Sequence, residues 1–103
     1  MDELLISVKK NLIIKHGEDD DLLTDFISAA ISYAEDHQHH NDGYYQSNPM
    51  SMTTRQAIIM LASHLYESRD GSTAGMLSDS PASAQQVWNT VNMLLRLDRD
   101  WKV

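Results

Sequence analysis

One segment, Thr53 to Arg69 (TTRQAIIMLASHLYESR), constrains the fold more than any other part of the chain. Its apolar residues recur at helical spacing and form a stripe that consists of Ala57, Ile58, Leu61, Ala62 and Leu65. Ile59 and Met60 extend this apolar surface over more than half of the circumference, which is typical of a helix buried on more than one side. The sequence therefore predicts a central helix over residues 53–69, with the other helices packed around it.

The ends of this helix are indicated by local signals. Thr53 and Gln56 have the spacing of a capping box, in which two side chains bind otherwise unpaired backbone N–H groups. The pair Asp70-Gly71 predicts the end, because glycine readily adopts the left-handed conformation that follows many helices.

Three further segments have helical periodicity, over residues 2–14, 21–36 and 84–97. In the first, one apolar face is predicted for Leu4, Leu5, Val8, Leu12 and Ile13, and a short strand at residues 13–14 is an alternative. In the second, the predicted outward side chains are Thr24, Asp25, Ser28, Ser32 and Glu35. The predicted core consists of Leu22, Phe26, Ile27, Ala30, Ile58, Leu61, Leu65, Val91 and Leu94. We predict one all-α domain over 1–103, a small bundle of about four helices.

Two connections and one acidic run complete this organisation. The connection between the second and third predicted helices, about 15 residues long, contains Tyr44 and Tyr45 and is expected to be functional or mobile. A second loop is predicted over 72–83, and both loops are candidates for partner contact. The four acids at 18–21 are expected to form an N-cap and first helical turn; a metal site is the less favoured interpretation.

Composition excludes several classes of function. The 103 residues carry a net charge of −7 with only eight dispersed Lys and Arg, so the basic surface of a nucleic-acid binder is missing and a helix-turn-helix protein is disfavoured. The chain has no cysteine, which excludes disulfides and thiolate metal sites. No apolar run reaches the ~20 residues of a membrane span. We expect a soluble, cytoplasmic protein without a signal peptide.

The sequence contains no nucleophile elbow, phosphate-binding glycine loop or zinc-protease helix, so we predict no catalytic residue, no cofactor and no enzymatic activity. His37, His39 and His40, next to Asp36, are weak candidates for metal ligands. Their spacing does not place them on one helical face, and the favoured interpretation is a solvated helix terminus, so we predict no metal site.

Five residues are candidates for contact with a partner: Tyr44, Tyr45, Tyr66, Arg69 and Trp101. Tyr66 and Arg69 are three apart on the predicted central helix, where they form either an internal cation–π pair or an interface anchor. Trp101 lies in a charged tail and is as suited to partner binding as to local packing.

Two blocks of the sequence have a recognisable pattern. The first, D-x-L-L-x-x-x-I-x-A-A-x-x-Y after an acidic run, is formed by Asp20, Leu22, Leu23, Ile27, Ala29, Ala30 and Tyr33. The second, Q-A-I-x-x-L-x-x-H-x-Y-E-x-R, is formed by Gln56, Ala57, Ile58, Leu61, His64, Tyr66, Glu67 and Arg69. Together they resemble the small head–tail connector proteins of tailed phages and prophages, also described as possible DNA-packaging proteins. The resemblance extends from Leu4 to about Asp70.

This resemblance implies a structural virion protein at the head–tail junction, assembled in the host cytoplasm. The implied partners are further copies of the chain in a ring, twelve-fold like the portal, then the portal protein and a tail or stopper protein. DNA would pass through the channel of the ring without specific binding. The acidic composition fits such a channel.

Two other classes of function remain as alternatives. The first is a small acidic regulator or inhibitor that binds another protein by imitating the charge of DNA. It would form a discrete small complex and no ring. The second, a metal-dependent enzyme built on the histidine cluster, is disfavoured by the histidine spacing.

Overall fold

The computed structural model describes residues 2–15, 17–68 and 81–97. These residues form the helices α1 (Asp2–Leu12), α2 (Asp20–His37), α3 (Tyr44–Ser47), α4 (Met52–Ser68) and α5 (Pro81–Leu97). No strand occurs among them, so the all-α prediction is confirmed and the alternative strand at 13–14 is wrong. The last helix begins at Pro81, a residue preorganised for a first helical turn, which agrees with Ser80-Pro81 as one of the two helix starts that the sequence offers; the other is Ser83 with Gln86. Arg69, Asp70-Gly71 and Trp101 lie outside the described residues.

Helix α4 is central, as predicted. It contacts α1, α2 and α5, and its fully or nearly fully buried apolar side chains are Ala57, Ile58, Ile59, Leu61 and Ala62. Its N-cap differs from the prediction. Met52 is already helical, and the backbone N–H of Thr54 donates to Ser51 Oγ at 3.1 Å. Ser51 is therefore the capping residue and Thr53 is not. An N-cap side chain accepts the backbone N–H of the residue three positions later, which for Ser51 is Thr54.

In α2 and in α5, one leucine of the predicted core is less buried than the leucine that follows it. Leu23 and Leu95 are fully buried, whereas Leu22 and Leu94 are only half-buried. In α2, Leu23, Ile27, Ala30 and Ala34 form the buried stripe, and α4 packs against this helix. Where two leucines are adjacent, helical periodicity alone does not decide which of them faces the neighbouring helix.

The end of α1 places an isoleucine in solvent. Ile13 has a φ of 59° and its side chain is 81% exposed, so the prediction that it shares the apolar face is wrong. The N–H groups of Ile13 and Ile14 donate to the carbonyls of Lys10 and Lys9, which closes the last turn of the helix. The left-handed conformation of Ile13 that makes this closure possible also turns its side chain away from the core.

The acidic run supplies the start of α2, as predicted. Asp19 is the N-cap, and Asp20 and Asp21 lie in the first turn, where the helix dipole favours negative charge. Asp20 also forms an ion pair with Lys9 of α1, in which Oδ1 of Asp20 and Nζ of Lys9 are 2.8 Å apart. The carboxylates of this run thus join α1 to the beginning of α2.

Replacing Leu61 by alanine tests the central position of α4. Leu61 is only 1% exposed, so the truncation leaves a cavity, and we expect the free energy of unfolding to fall by about 2–5 kcal/mol. Urea denaturation measures the change. The exposed Met52→Ala variant is the control and should change the stability by less than about 0.5 kcal/mol. A comparable loss in both variants would contradict the central placement.

Replacing Ile13 by glycine tests the strain at the end of α1. A β-branched residue is unfavourable in the left-handed region and glycine is not, so we expect Ile13→Gly to stabilise the fold by about 0.5–1 kcal/mol in thermal or urea denaturation. Ile6→Gly within α1 is the control and should destabilise it by about 1 kcal/mol. Destabilisation by both substitutions would exclude the strained conformation.

Candidate assembly interface

A buried carboxylate anchors the connection between α2 and α4. Glu35 is 2% exposed and accepts the backbone N–H of Gly43 at 3.2 Å and that of Tyr45 at 2.9 Å. Gly43 is the N-cap of α3 and has a φ of 83°, a conformation that glycine adopts at low cost. The carboxylate therefore caps the short helix from outside, and the prediction that Glu35 faces outward is wrong.

A buried amide next to this carboxylate joins four elements. Gln38 caps the C-terminus of α2, and its Nε2 donates to Thr54 Oγ1 of α4 at 2.8 Å and to the carbonyl of Leu95 of α5 at 3.0 Å. Its Oε1 accepts a hydrogen bond from the hydroxyl of Tyr45 in α3. The position of the connection is thus coupled to the three long helices that meet at this end of the bundle.

The two tyrosines of the connection have different surroundings. Tyr45 points its hydroxyl into the Gln38 cluster, whereas Tyr44 stacks on His40 with ring centroids 3.7 Å apart and planes inclined by 2°. Tyr45 packs edge-on against both of these rings. His40, Tyr44 and Tyr45 therefore form a half-buried aromatic cluster on the loop, in which Tyr45 is the member that hydrogen-bonds to the buried Gln38.

The three histidines do not converge. His37 stacks on Tyr33 of α2 with ring centroids 5.9 Å apart, and His40 lies on Tyr44 in the connection. His39 is exposed and has a φ of 64°. Within the described part of the chain, no group of three or more His, Cys, Asp or Glu is placed to hold a metal ion.

Tyr66 is held by an acid of the run before α2. Its hydroxyl donates a hydrogen bond to Asp19 Oδ2, which joins the last turns of α4 to the start of α2. The predicted contact of Tyr66 with Arg69 lies outside the described residues, as does the environment of Trp101.

A groove of about 500 Å³ opens beside the Glu35 anchor, between the start of α1, the outer side of α2 and α3. Its apolar lining consists of Leu4, Ile31 and Met50. Its polar lining includes Ser28, Ser32, Asp42 and Gln46. The groove shares Glu35 and Tyr45 with the anchored connection, so its shape depends on how that connection is held.

Three surfaces of the described bundle stand out by their chemistry. Two are apolar, with Ile6 and Ile13 at α1, which are 55% and 81% exposed, and Met93 and Leu97 on α5, which are 52% and 65% exposed. The third lies on α2, opposite its buried stripe, and consists of the exposed residues Asp21, Asp25, Ser28, Ala29, Ser32 and Asp36. No described helix is long and apolar enough to cross a membrane.

The model of the family described as "Phage gp6-like head-tail connector protein" matches residues 2–99. The chain belongs to this family of phage head–tail connectors. Membership gives it a structural connector role in the virion, in contact with portal and tail components, and confirms the resemblance seen in the two sequence blocks. The match also includes α5, where the sequence blocks carried no resemblance. No curated protein and no solved structure matches the connector significantly.

The described residues of the connector thus offer surfaces for assembly. Sequence reasoning found the loop and its tyrosines but missed Glu35 and Gln38, which hold the loop in place. A signal for Glu35 was present: it lies four residues after Ile31 and eight after Ile27, on the same side of α2. No comparable signal exists for Gln38, because two of its three partners, Thr54 and Leu95, are distant in the sequence.

Replacing Glu35 by glutamine tests the anchor. The amide removes one of the two oxygens that accept N–H groups, at a cost of about 1–3 kcal/mol. We therefore expect the backbone amides of Gly43 and Tyr45 to exchange hydrogen roughly 5- to 150-fold faster, measured by NMR. Asp36→Asn, an exposed neighbour, is the control and should leave their exchange unchanged. Unchanged exchange in Glu35→Gln would contradict the anchoring role.

Proposed function

We propose that this connector assembles as a ring beneath the portal, extends the DNA channel and docks the next tail or stopper component. Family membership is the observation that supports this proposal most strongly. The ring is proposed to be twelve-fold, like the portal, and to assemble in the host cytoplasm. The protein acts by binding and has no catalytic step.

A ring requires that one surface of a subunit meets a different surface of its neighbour. The bundle offers unlike surfaces on different helices, the apolar pairs at α1 and α5. It also offers an acidic surface without large apolar side chains on α2, with Asp21, Asp25 and Asp36. Because DNA carries a dense negative charge, an acidic wall would let it pass without adhering, and we assign the α2 surface to the channel.

The aromatic cluster of the connection is the proposed contact with the portal or the tail. Among the five candidate residues, Tyr44 fits this role best, because its ring lies on His40 at the surface of the loop. Tyr45 and Tyr66 donate hydrogen bonds inside the subunit, so their proposed role is to position the contact surface. Arg69 and Trp101 remain proposed partner residues on sequence grounds alone.

Co-sedimentation with portal rings from the same virus or prophage, followed by electron microscopy of the pellet, tests the connector role. We expect added density as a collar at one pole of the portal. Tyr44→Ala should weaken the binding, whereas Gln46→Ala, an exposed position in the same short helix, should not.

Absence of binding at tens of micromolar, to portals and to DNA-filled heads, would contradict the connector role. The acidic regulator would then be the better interpretation, since the exposed acids of α2 also suit a protein that imitates DNA. A discrete soluble complex with a host or phage protein would identify that function.

A further inference from the structure

Helices α1 and α5 lie on opposite sides of the pair formed by α2 and α4. Each of them contacts both α2 and α4, but within the described helices they do not contact each other. On the α1 side, Arg55 of α4 donates to Ser7 at 2.7 Å, and Asn11 donates to Ser63 of α4 at 2.8 Å. On the other side, His64 of α4 packs edge-on against Trp88 of α5. The outer faces of α1 and α5 therefore point away from each other.

Both outer faces expose large apolar side chains. Met93 and Leu97 are four residues apart, so their exposed side chains are neighbours on the surface of α5. Ile6 and Ile13 are seven residues apart, about two helical turns, with Ile13 directly after α1. Each face thus carries two aliphatic side chains that are more than half exposed, and contact with another molecule would remove this apolar surface from water.

The conformation of Ile13 supports a role for its side chain outside the core. An isoleucine with a φ of 59° is unfavourable, and glycine at that position would serve the stability of the isolated subunit better. The side chain is 81% exposed and gains little from packing within the subunit. The cost is explained if the side chain is buried against another molecule.

Charges on the two faces indicate what that molecule is. Glu3 lies three residues before Ile6 on α1, and Arg96 lies three residues after Met93 on α5; both are exposed. Their opposite signs allow an ion pair between the two faces. Lys10 also lies on the α1 face, but roughly 10 Å along the helix from Glu3. The charges therefore favour the register that places Arg96 near Glu3 and away from Lys10.

We propose that the Ile6/Ile13 face of one copy binds the Met93/Leu97 face of a second copy, with Glu3 opposite Arg96. This contact would be the interface between neighbouring subunits of the proposed ring, and the closure of such contacts into a ring rests on the proposed function. The two faces are unlike and point in opposite directions, so the contact is head-to-tail and each added copy leaves both faces available at the ends. A closed two-fold dimer would not use this pair of faces.

Cross-linking between two single-cysteine variants tests the contact, since the natural chain has no cysteine. Ile6→Cys and Met93→Cys proteins are mixed at high concentration, and also on portal rings, and treated with a short bis-maleimide that tolerates small differences in register. In an equal mixture we expect the 6–93 dimer to exceed the 6–6 and 93–93 dimers combined, a sum that random collision would make equal to it. The Ile6→Cys/Met93→Cys variant should give a ladder of multimers. Asp25→Cys on α2 is the control for random collision.

Charge reversal gives a second measurement that does not depend on the linker. In the cross-linking pair, Glu3→Arg on the Ile6→Cys chain should lower the 6–93 yield on the order of tenfold, because like charges then face each other. Adding Arg96→Glu to the Met93→Cys chain should restore it. Glu67→Arg, an exposed glutamate of α4, should have no effect.

Three outcomes would overturn the interface: predominance of 6–6 or 93–93 dimers, a 6–93 yield no higher than with the Asp25→Cys control, or single charge reversals without effect. A portal collar without the 6–93 product would leave the connector function standing and reject this contact. A 6–93 ladder without portal binding would support the contact and reject the connector function.

Discussion

The arrangement of the bundle depends on the buried side chain of Gln38. Its amide donates to Thr54 and to the Leu95 carbonyl, and its oxygen accepts from Tyr45, so one residue joins α2, α3, α4 and α5. In an apolar interior each of these polar groups would be costly without its partner, so the hydrogen bonds of Gln38 couple the stability of the four elements. Glu35, one helical turn earlier, holds the loop in place by accepting hydrogen bonds from two of its backbone N–H groups. A long connection thereby becomes a fixed surface.

Helical periodicity was sufficient to predict the all-α class and the central position of α4, because its apolar arc is too wide for burial on one side only. Periodicity failed where two neighbouring residues fit the apolar face of a helix equally well. Leu22 and Leu23 are adjacent and equally apolar. Leu23 is the buried one because α4 packs against its side of α2. It also failed where polar residues are buried, since Glu35 and Gln38 owe their burial to partners that are distant in the sequence or belong to backbone. The cap at Ser51 was missed for a simpler reason: Thr53 and Gln56 have the spacing of a capping box, whereas Ser51 has no Glu or Gln three residues later.

The two blocks that carry the family resemblance consist largely of residues that build the bundle. Ile27, Ala30, Ala57, Ile58 and Leu61 are core residues. Several polar members bridge helices: Asp20 pairs with Lys9, the Tyr33 hydroxyl donates to Asn92, and the Tyr66 hydroxyl donates to Asp19. Such a pattern specifies a fold, which is why it identifies the family from the sequence. The exposed apolar residues at α1 and α5 lie outside both blocks. The surfaces proposed to join subunits were therefore not predictable from the resemblance, and they become visible only once the side on which each helix is buried is known.

The positions of these surfaces around the bundle relate the proposed subunit contacts to the acidic face of α2. If copies join through α1 and α5, the line of assembly crosses the α2–α4 pair from one side to the other. The exposed face of α2 points away from α4 and thus lies across that line, on a wall of the array and outside its contacts. The acids Asp21, Asp25 and Asp36 on this face then repeat once per subunit along the wall. In the proposed ring, a single set of helix contacts within one subunit would therefore separate two functions, apolar association along the ring and charge repulsion across it. Since DNA is repelled by such a wall and attracted by a basic one, the acidic composition has a physical explanation that requires no binding site for DNA.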